Sequence, residues 1–280
     1  MRLSLARRLS DRALWARFAE LLGNLHLRRP LKNLYRYFAV PDHGVAVVKA
    51  VDRRAKFYVQ SPEQAVSLRR LQGEKPMLEH LAAHLSAGDT FLDVGAEIGL
   101  YAAFLSQVVG TEGQVVAFEP SIEALEQLQD NLRLNRVGNV SIYTVALSGE
   151  NGKARLYWGK VGFAPTLRNL HDTVGDFPLS REVEIARGDD FLNRERLPVP
   201  TAIKLDVEGA EHAALLGLQS TLRDPRCRAV GCEIHPHELL PPGIATEDIP
   251  ALLRDAGFEV SVIPRGDTLF ALASKKSAPK

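Results

Sequence analysis

The stretch Thr90-Phe-Leu-Asp-Val-Gly-Ala-Glu-Ile-Gly-Leu-Tyr101 constrains this chain more than any other. An apolar, strand-like run ends at Asp93, a turn carries Gly95 and Gly99, and helical sequence follows from Ile98 to about Val109. A strand, a glycine turn and a helix start form a nucleotide-cradling unit, because glycine admits a ligand to the backbone and unpaired N–H groups point at it. A second apolar run, Gln114-Val-Val-Ala-Phe118, ends at Glu119, where such folds hold ribose hydroxyls. Together the two runs predict an adenosine cofactor on an open α/β sheet.

The spacing then separates the adenosine cofactors. The dinucleotide fingerprint is G-x-G-x-x-G, whose close glycines admit a pyrophosphate. This turn reads D-x-G-x-x-x-G, with Glu97 at the middle glycine position, and its carboxylate would repel a pyrophosphate. S-adenosylmethionine carries no phosphate, and Asp93 could face its ammonium group directly or through water. Any α/β protein with glycine in its first turn remains the plainer alternative at this stage.

With 280 residues, the chain is long enough for one large α/β domain and an appendage. A formal net charge of +1 argues against nucleic acid as a partner. Cys227 and Cys232 sit in one apolar run and match neither a disulfide framework nor a metal knuckle, so they read as reduced core thiols of a cytoplasmic protein. No apolar run reaches the roughly 18 residues of a membrane span. Leu3 to Leu22 follow helical rhythm among Arg7, Arg8, Arg12 and Arg17. Such a basic helix either rests on an anionic membrane surface, making the protein peripheral, or caps its own domain.

Gly44 to Tyr58 predicts a hairpin around Asp52-Arg-Arg54, and Ser61-Pro62 predicts a helix start with a capping serine. Residues 1–70 therefore read as an N-terminal extension, 71–275 as the cofactor-binding domain and 276–280 as a loose tail. A helix from about Pro76 to Leu85 precedes the first core strand, and Ser121 to Leu134 carries Ile122, Leu125, Leu128 and Leu132 on one helical face. Val140 to Val145 reads as the third strand, with Ala146-Leu-Ser148 ending it at the adenine level. Strands at 154–158 and 183–185 flank a loop bearing Phe163, Pro165, Thr166 and His171, a candidate substrate lid.

A second unit, Ala202-Ile-Lys-Leu-Asp-Val-Glu-Gly-Ala-Glu211, places Asp206, Glu208 and Glu211 at a strand's C-terminal end, where open sheets bind ligands. A fifth strand, Arg228 to Ile234, brings Glu233 and His235 to the same edge. A helix at Ile249–Ala256 and two further strands complete the sheet, the last one antiparallel.

These two motifs, with Phe118-Glu-Pro120, Asn131, Ala146-Leu-Ser148 and Asp189-Asp190, resemble the FkbM family of S-adenosylmethionine-dependent methyltransferases over roughly residues 70 to 275. The resemblance implies a seven-stranded, doubly wound Rossmann-like sheet and methyl donation to a hydroxyl on a sugar, glycolipid or polyketide-like acceptor. It implies that Asp93, Gly95, Ala96 and Gly99 border the methionine and ribose parts. Glu119, beside Pro120, would bind the ribose hydroxyls, and Ala146 and Ser148 would border the adenine. One departure stands out: the family usually has Asn where this chain has Glu97.

Transfer from a sulfonium to an alcohol needs alignment and a base. Asp206, Glu208 and His235 are the candidates, histidine having the better-placed intrinsic pKa. Asp206 and Glu233 end adjacent strands and could hold Mg²⁺, although the resemblance requires no metal. Two rivals remain: a nicotinamide-dependent reductase, and a non-catalytic module with the same fold.

Overall fold

The computed structural model describes residues 44–59, 62–158, 166–168, 179–237 and 243–276. The basic N-terminal segment, Ser61, the loop residues Phe163, Pro165 and His171, and the tail from residue 277 lie outside the described residues. By packing, these residues form two compact units, one of residues up to Lys49 with Arg54–Gln72, the other of Ala50–Arg53 with Gly73 onward.

The first unit contains strands β1 (Val45–Ala50) and β2 (Arg53–Tyr58) and helix α1 (Pro62–Arg69). The hairpin turns at Val51 and Asp52, both left-handed (φ 44° and 56°), as a two-residue connection matched to strand twist requires. The turn therefore lies one residue earlier than the polar triplet suggests. Ala46, Val48, Ala55 and Phe57 are buried while their neighbours are more exposed, so the alternation gives the hairpin one packed face.

The second unit is built on a seven-stranded sheet in the order β12-β13-β11-β10-β3-β4-β5. Its strands are β3 (Thr90–Val94), β4 (Gln114–Phe118), β5 (Val140–Tyr143), β10 (Ala202–Leu205), β11 (Ala229–Ile234), β12 (Glu259–Arg265) and β13 (Thr268–Ser274). The first five run parallel, and β13 inserts antiparallel between β11 and β12. The predicted seven-stranded, doubly wound sheet with an antiparallel last strand is thus the observed one. Every residue of β3, β10 and β11 is buried, because a central parallel strand is covered on both faces and reads as a continuous apolar run.

Helices α2 (Lys75–Ala83) and α3 (Leu100–Val109) cover one face, and α4 (Ile122–Leu134) packs beside α3. Helices α5 (Gly188–Arg194), α6 (Glu211–Gly217), α7 (Gln219–Arg223) and α8 (Asp248–Asp255) cover the other, packing on Leu92, Val94, Val116, Phe118, Ile203 and Leu205. Side chains alternate along a strand, so Asp93, Lys204 and Glu233 point to the α2/α3 side. In α4 the buried positions are Leu128, Asn131 and Leu132, whereas Ile122 is exposed. Asn131 takes a core position because its amide donates to the Ile98 carbonyl at 2.9 Å.

Ala146–Ser148 does not end β5. It forms β6, in a second sheet ordered β6-β9-β7-β8 with β7 (Gly152–Trp158), β8 (Thr166–Arg168) and β9 (Leu179–Arg187). Ala146, Ala154, Leu156, Val183 and Ile185 form a small core under Ala210, at the start of α6. This sheet walls the carboxyl end of the main one. No helix among the described residues is long and apolar enough to cross a membrane.

Candidate active site

The glycine turn after β3 is held from two sides. Asp206 donates its N–H to the Val94 carbonyl at 3.1 Å, which brings the ends of β3 and β10 together. At Gly95 (φ 77°) a Cβ would lie 1.9 Å from the Asp206 carbonyl oxygen, so only glycine fits. The N–H groups of Gly95 and Ala96 both donate to the Phe118 carbonyl at 3.0 Å, that of Glu97 to Glu119 Oε2 at 2.8 Å and that of Gly99 to the Ala96 carbonyl at 2.7 Å. These donors serve the protein itself. These four amides are therefore not offered to a pyrophosphate.

Beside the turn lies a cavity of about 580 Å³, part of it open to solvent. Phe118, Val145, Leu147 and Leu156 make its apolar wall, and Glu97, Glu119, Asp206 and Glu208 are its charged groups. Glu119 is fixed at both oxygens, since Oε1 accepts the Ser121 N–H at 2.8 Å while Oε2 holds Glu97. An ionised carboxylate retains further acceptor sites on each oxygen, the requirement for gripping a ribose diol. Desolvation lifts its pKa to about 7, against the two backbone hydrogen bonds that lower it. Phe118, Tyr143 and Phe191 pack edge-on and stacked, with centroids 5.0–5.6 Å apart, and stiffen the floor below.

Of the predicted cofactor residues, Gly95, Glu119, Pro120 and Ala146 line this cavity, and Asp93, Ala96, Gly99 and Ser148 do not. Asp93 is fully buried and turned onto α3, accepting the Ala102 N–H at 3.0 Å, so it braces the turn rather than facing an ammonium group. Desolvation raises its pKa to about 6, despite the nearby Lys204 charge. Gly99 (φ 82°) starts α3 and leaves room for Leu128, whose Cδ1 would lie 2.5 Å from a Cβ there. Ala96 is buried within the turn, and the Ser148 carbonyl lies against Gly217 of α6.

The three predicted catalytic residues converge. His235 Nε2 lies 3.3 Å from Glu208, 3.7 Å from Glu233 and 3.8 Å from Asp206, while Nδ1 lies 2.7 Å from Glu211 Oε1. The same Glu211 oxygen accepts the Gly209 N–H at 2.9 Å. Desolvation lowers the imidazole pKa, but the Glu211 hydrogen bond and the charges of Glu208, Glu211 and Asp206 outweigh it and raise the value to about 9. His235 therefore keeps its proton at neutral pH, and it lies behind the cavity wall rather than in it. Intrinsic pKa favoured histidine among the three candidates; of these, Asp206 and Glu208 line the cavity.

Donor atoms of Asp206, Glu208 and His235 lie within 4.8 Å of one another, a spacing at which such groups can hold a cation. A protonated His235 itself places a positive charge among these carboxylates. Glu233, the other carboxylate considered for Mg²⁺, is occupied by Arg265 and accepts from Thr268 Oγ1 at 2.8 Å.

The profile of the Methyltransferase FkbM domain matches residues 93–260. The chain belongs to the FkbM methyltransferase family. It is an S-adenosylmethionine-dependent methyltransferase. It is 27% identical over 211 residues to the hexuronic acid methyltransferase AglP of Haloferax volcanii, covering 74% of this chain and 79% of that protein. It is also 27% identical over 240 residues to the 31-O-demethyl-FK506 methyltransferase FkbM of Streptomyces tacrolimicus, covering 76% and 88%. Among solved structures, the FkbM methyltransferase of Methylobacillus flagellatus KT matches with a TM-score of 0.46 and 18% identity, over 67% of this chain and 44% of that one.

In this FkbM methyltransferase the cavity suits the family cofactor part by part: an apolar slot for a base, a fixed carboxylate for a diol, and acids at the other end for a cationic group. Sequence reasoning missed Lys204, which lies beneath that last wall. Its ammonium is buried, bonds the Gly95 carbonyl and the Val94 carbonyl (3.3 Å), and sits 3.5 Å from Asp206 and 3.8 Å from Asp93. A lysine within an apolar strand such as Ile203-Lys-Leu205 was the available signal, because a buried charge must have partners. Glu74, Tyr101 and Arg265 form a second missed group. Tyr101 donates to Glu74 at 2.7 Å, and Arg265 bridges Glu74 and Glu233.

Proposed function

We propose that this methyltransferase O-methylates a hydroxyl on a sugar, glycolipid or polyketide-like acceptor. The carrying observation is the cavity itself, with Glu119 fixed at one end and the Asp206–Glu208 pair at the other. The two relatives, one named for a hexuronic acid and one for an O-demethylated polyketide, support hydroxylated acceptors. The bound cofactor supplies a methyl group on a sulfonium. Gly95, Glu119 and the apolar wall orient that donor. An acceptor hydroxyl beside Asp206 or Glu208 transfers its proton to a carboxylate oxygen as its own oxygen gains the methyl group. Protonated His235, tied to Glu211, holds both carboxylates in place. Alignment and the exclusion of water supply most of the acceleration.

The test is transfer of labelled methyl from S-adenosylmethionine to uronic acids, neutral glycosides and polyketide alcohols. Asp206→Asn should lower kcat by at least about 100-fold while the cofactor still binds. Turnover at the wild-type rate by both this variant and Glu208→Gln would refute the assignment. We further infer that residues 1–70 form an N-terminal extension whose basic segment makes weak contact with an anionic membrane surface. Co-sedimentation with anionic vesicles tests it, and no binding at moderate salt would overturn it.

A further inference from the structure

Methyl transfer changes the charge of the cofactor. The donor carries a sulfonium, and once its methyl group has moved to the acceptor oxygen, and that oxygen's proton to a carboxylate, a neutral thioether remains. The cavity presents four carboxylates, Glu97, Glu119, Asp206 and Glu208, and no cationic side chain among the described residues that line it. Lys204 is not among the lining residues and is bound to backbone carbonyls, and Arg265 is held by Glu74 and Glu233.

Two of these acids are also strained. Glu97 (φ 47°) and Glu208 (φ 49°) adopt left-handed backbone that non-glycine residues seldom take, and they come from the turns after β3 and β10. Glu97 is the one that departs from its family. It is exposed and lines the cavity. Desolvation raises its pKa, and the Asp206 and Glu233 charges add to this against Lys204 and Arg265. A carboxylate among like charges is unfavourable in the empty protein, and an arriving cation offsets that repulsion.

We propose that Glu97 makes the cavity selective for cofactor charge, so that it holds the sulfonium donor more tightly than the thioether product and releases that product readily. The proposal rests on this cavity being the cofactor site. It concerns the relative affinity of two ligands, a quantity separate from turnover.

Calorimetry on the full-length protein should compare S-adenosylmethionine, S-adenosylhomocysteine and an unreactive analogue bearing an amine in place of the sulfonium methyl. Wild type should bind the two cationic ligands about tenfold or more tighter than the thioether, and Glu97→Gln should shrink that preference by about three- to tenfold, the effect of one charge acting across several ångströms at a half-solvated site. Glu97→Asn, which suits left-handed backbone, should shrink it equally and guards against misfolding of the first variant. Equal or tighter binding of the thioether by wild type would overturn the proposal, as would a preference unchanged in both variants. Failure of all three ligands to bind would instead remove the cofactor site, and the proposal with it.

Discussion

His235 should make folding stability depend on pH in a window where few other groups titrate. Its pKa is about 9 in the folded protein, against 6.5 for an ordinary histidine, because the Glu211 hydrogen bond and the Glu208 and Asp206 charges overcome desolvation. The folded state binds the proton more tightly, so this stabilisation is complete below pH 6.5 and disappears as pH rises through about 9. At about 1.4 kcal/mol per pH unit between the two values, the full contribution is about 3 kcal/mol, of which about 2 kcal/mol is lost between pH 7.5 and 9.5. The ring is only 7% exposed, so solvent screening reduces this little. Glu74 and Glu119, raised to about 7, have largely finished titrating below that range, and the Cys227 thiol is pushed up to about 12. The assay is urea unfolding of wild type and His235→Gln across this range. Gln keeps an N–H for Glu211 but cannot titrate, so the stability gap between the two proteins should narrow by about 2 kcal/mol with rising pH. A gap that stays constant would refute the imidazolium assignment and return His235 to the role of neutral base.

Glu119 should make cofactor binding pH-dependent with the opposite sign: with a pKa of about 7 and only the carboxylate gripping a diol, affinity should rise about tenfold from pH 6 to pH 8 by calorimetry, and Glu119→Gln should flatten that rise. Gly95→Ala should destabilise the fold by about 3 kcal/mol or more, since its Cβ would lie 1.9 Å from the Asp206 carbonyl oxygen; thermal unfolding within a degree of wild type would contradict the observed contact. Lys204→Met should cost about 3–5 kcal/mol in urea by stranding Asp93, and adding Asp93→Asn should recover part of that loss. Exhaustive chelation should leave turnover unchanged, because His235 already supplies the positive charge among Asp206, Glu208 and Glu211.

What was legible in the sequence follows from how each signal arises. The core strands were readable because burial on both faces demands the unbroken apolar runs Phe91–Leu92 and Val115–Phe118. Strand membership was less so: Val140 to Ser148 is one β-prone stretch, but its two halves pair with different sheets, a choice made by the distant β9. Asp206, Glu208 and His235 were readable as one cluster because carboxylates and histidine at strand ends need partners. Their division of labour was not, because it depends on Glu211 and on which groups reach the cavity. Asp93 misled for the same reason: a strand-end acid signals a polar environment without saying whether the partner is a ligand or the start of α3.

The two motifs were informative together because each explains the residue types of the other. Gly95 must be glycine because the Asp206 carbonyl lies where its side chain would be. Asp206 stands there because its N–H closes onto Val94, continuing the pairing of β3 with β10 by one residue. Lys204, inside β10, reaches back to the Gly95 and Val94 carbonyls and forward to Asp206, so a single ammonium ties the glycine turn to the proposed base. In the proposed mechanism donor and base therefore share one junction rather than two loops free to move apart, and fixed placement is what a displacement reaction needs most. The same closeness explains the strain. Two chain reversals meet at that junction, and each places a glutamate, Glu97 or Glu208, in left-handed backbone with its charge toward one cavity. On the proposal above, a positively charged ligand offsets the repulsion among these carboxylates, and methyl transfer then removes that charge.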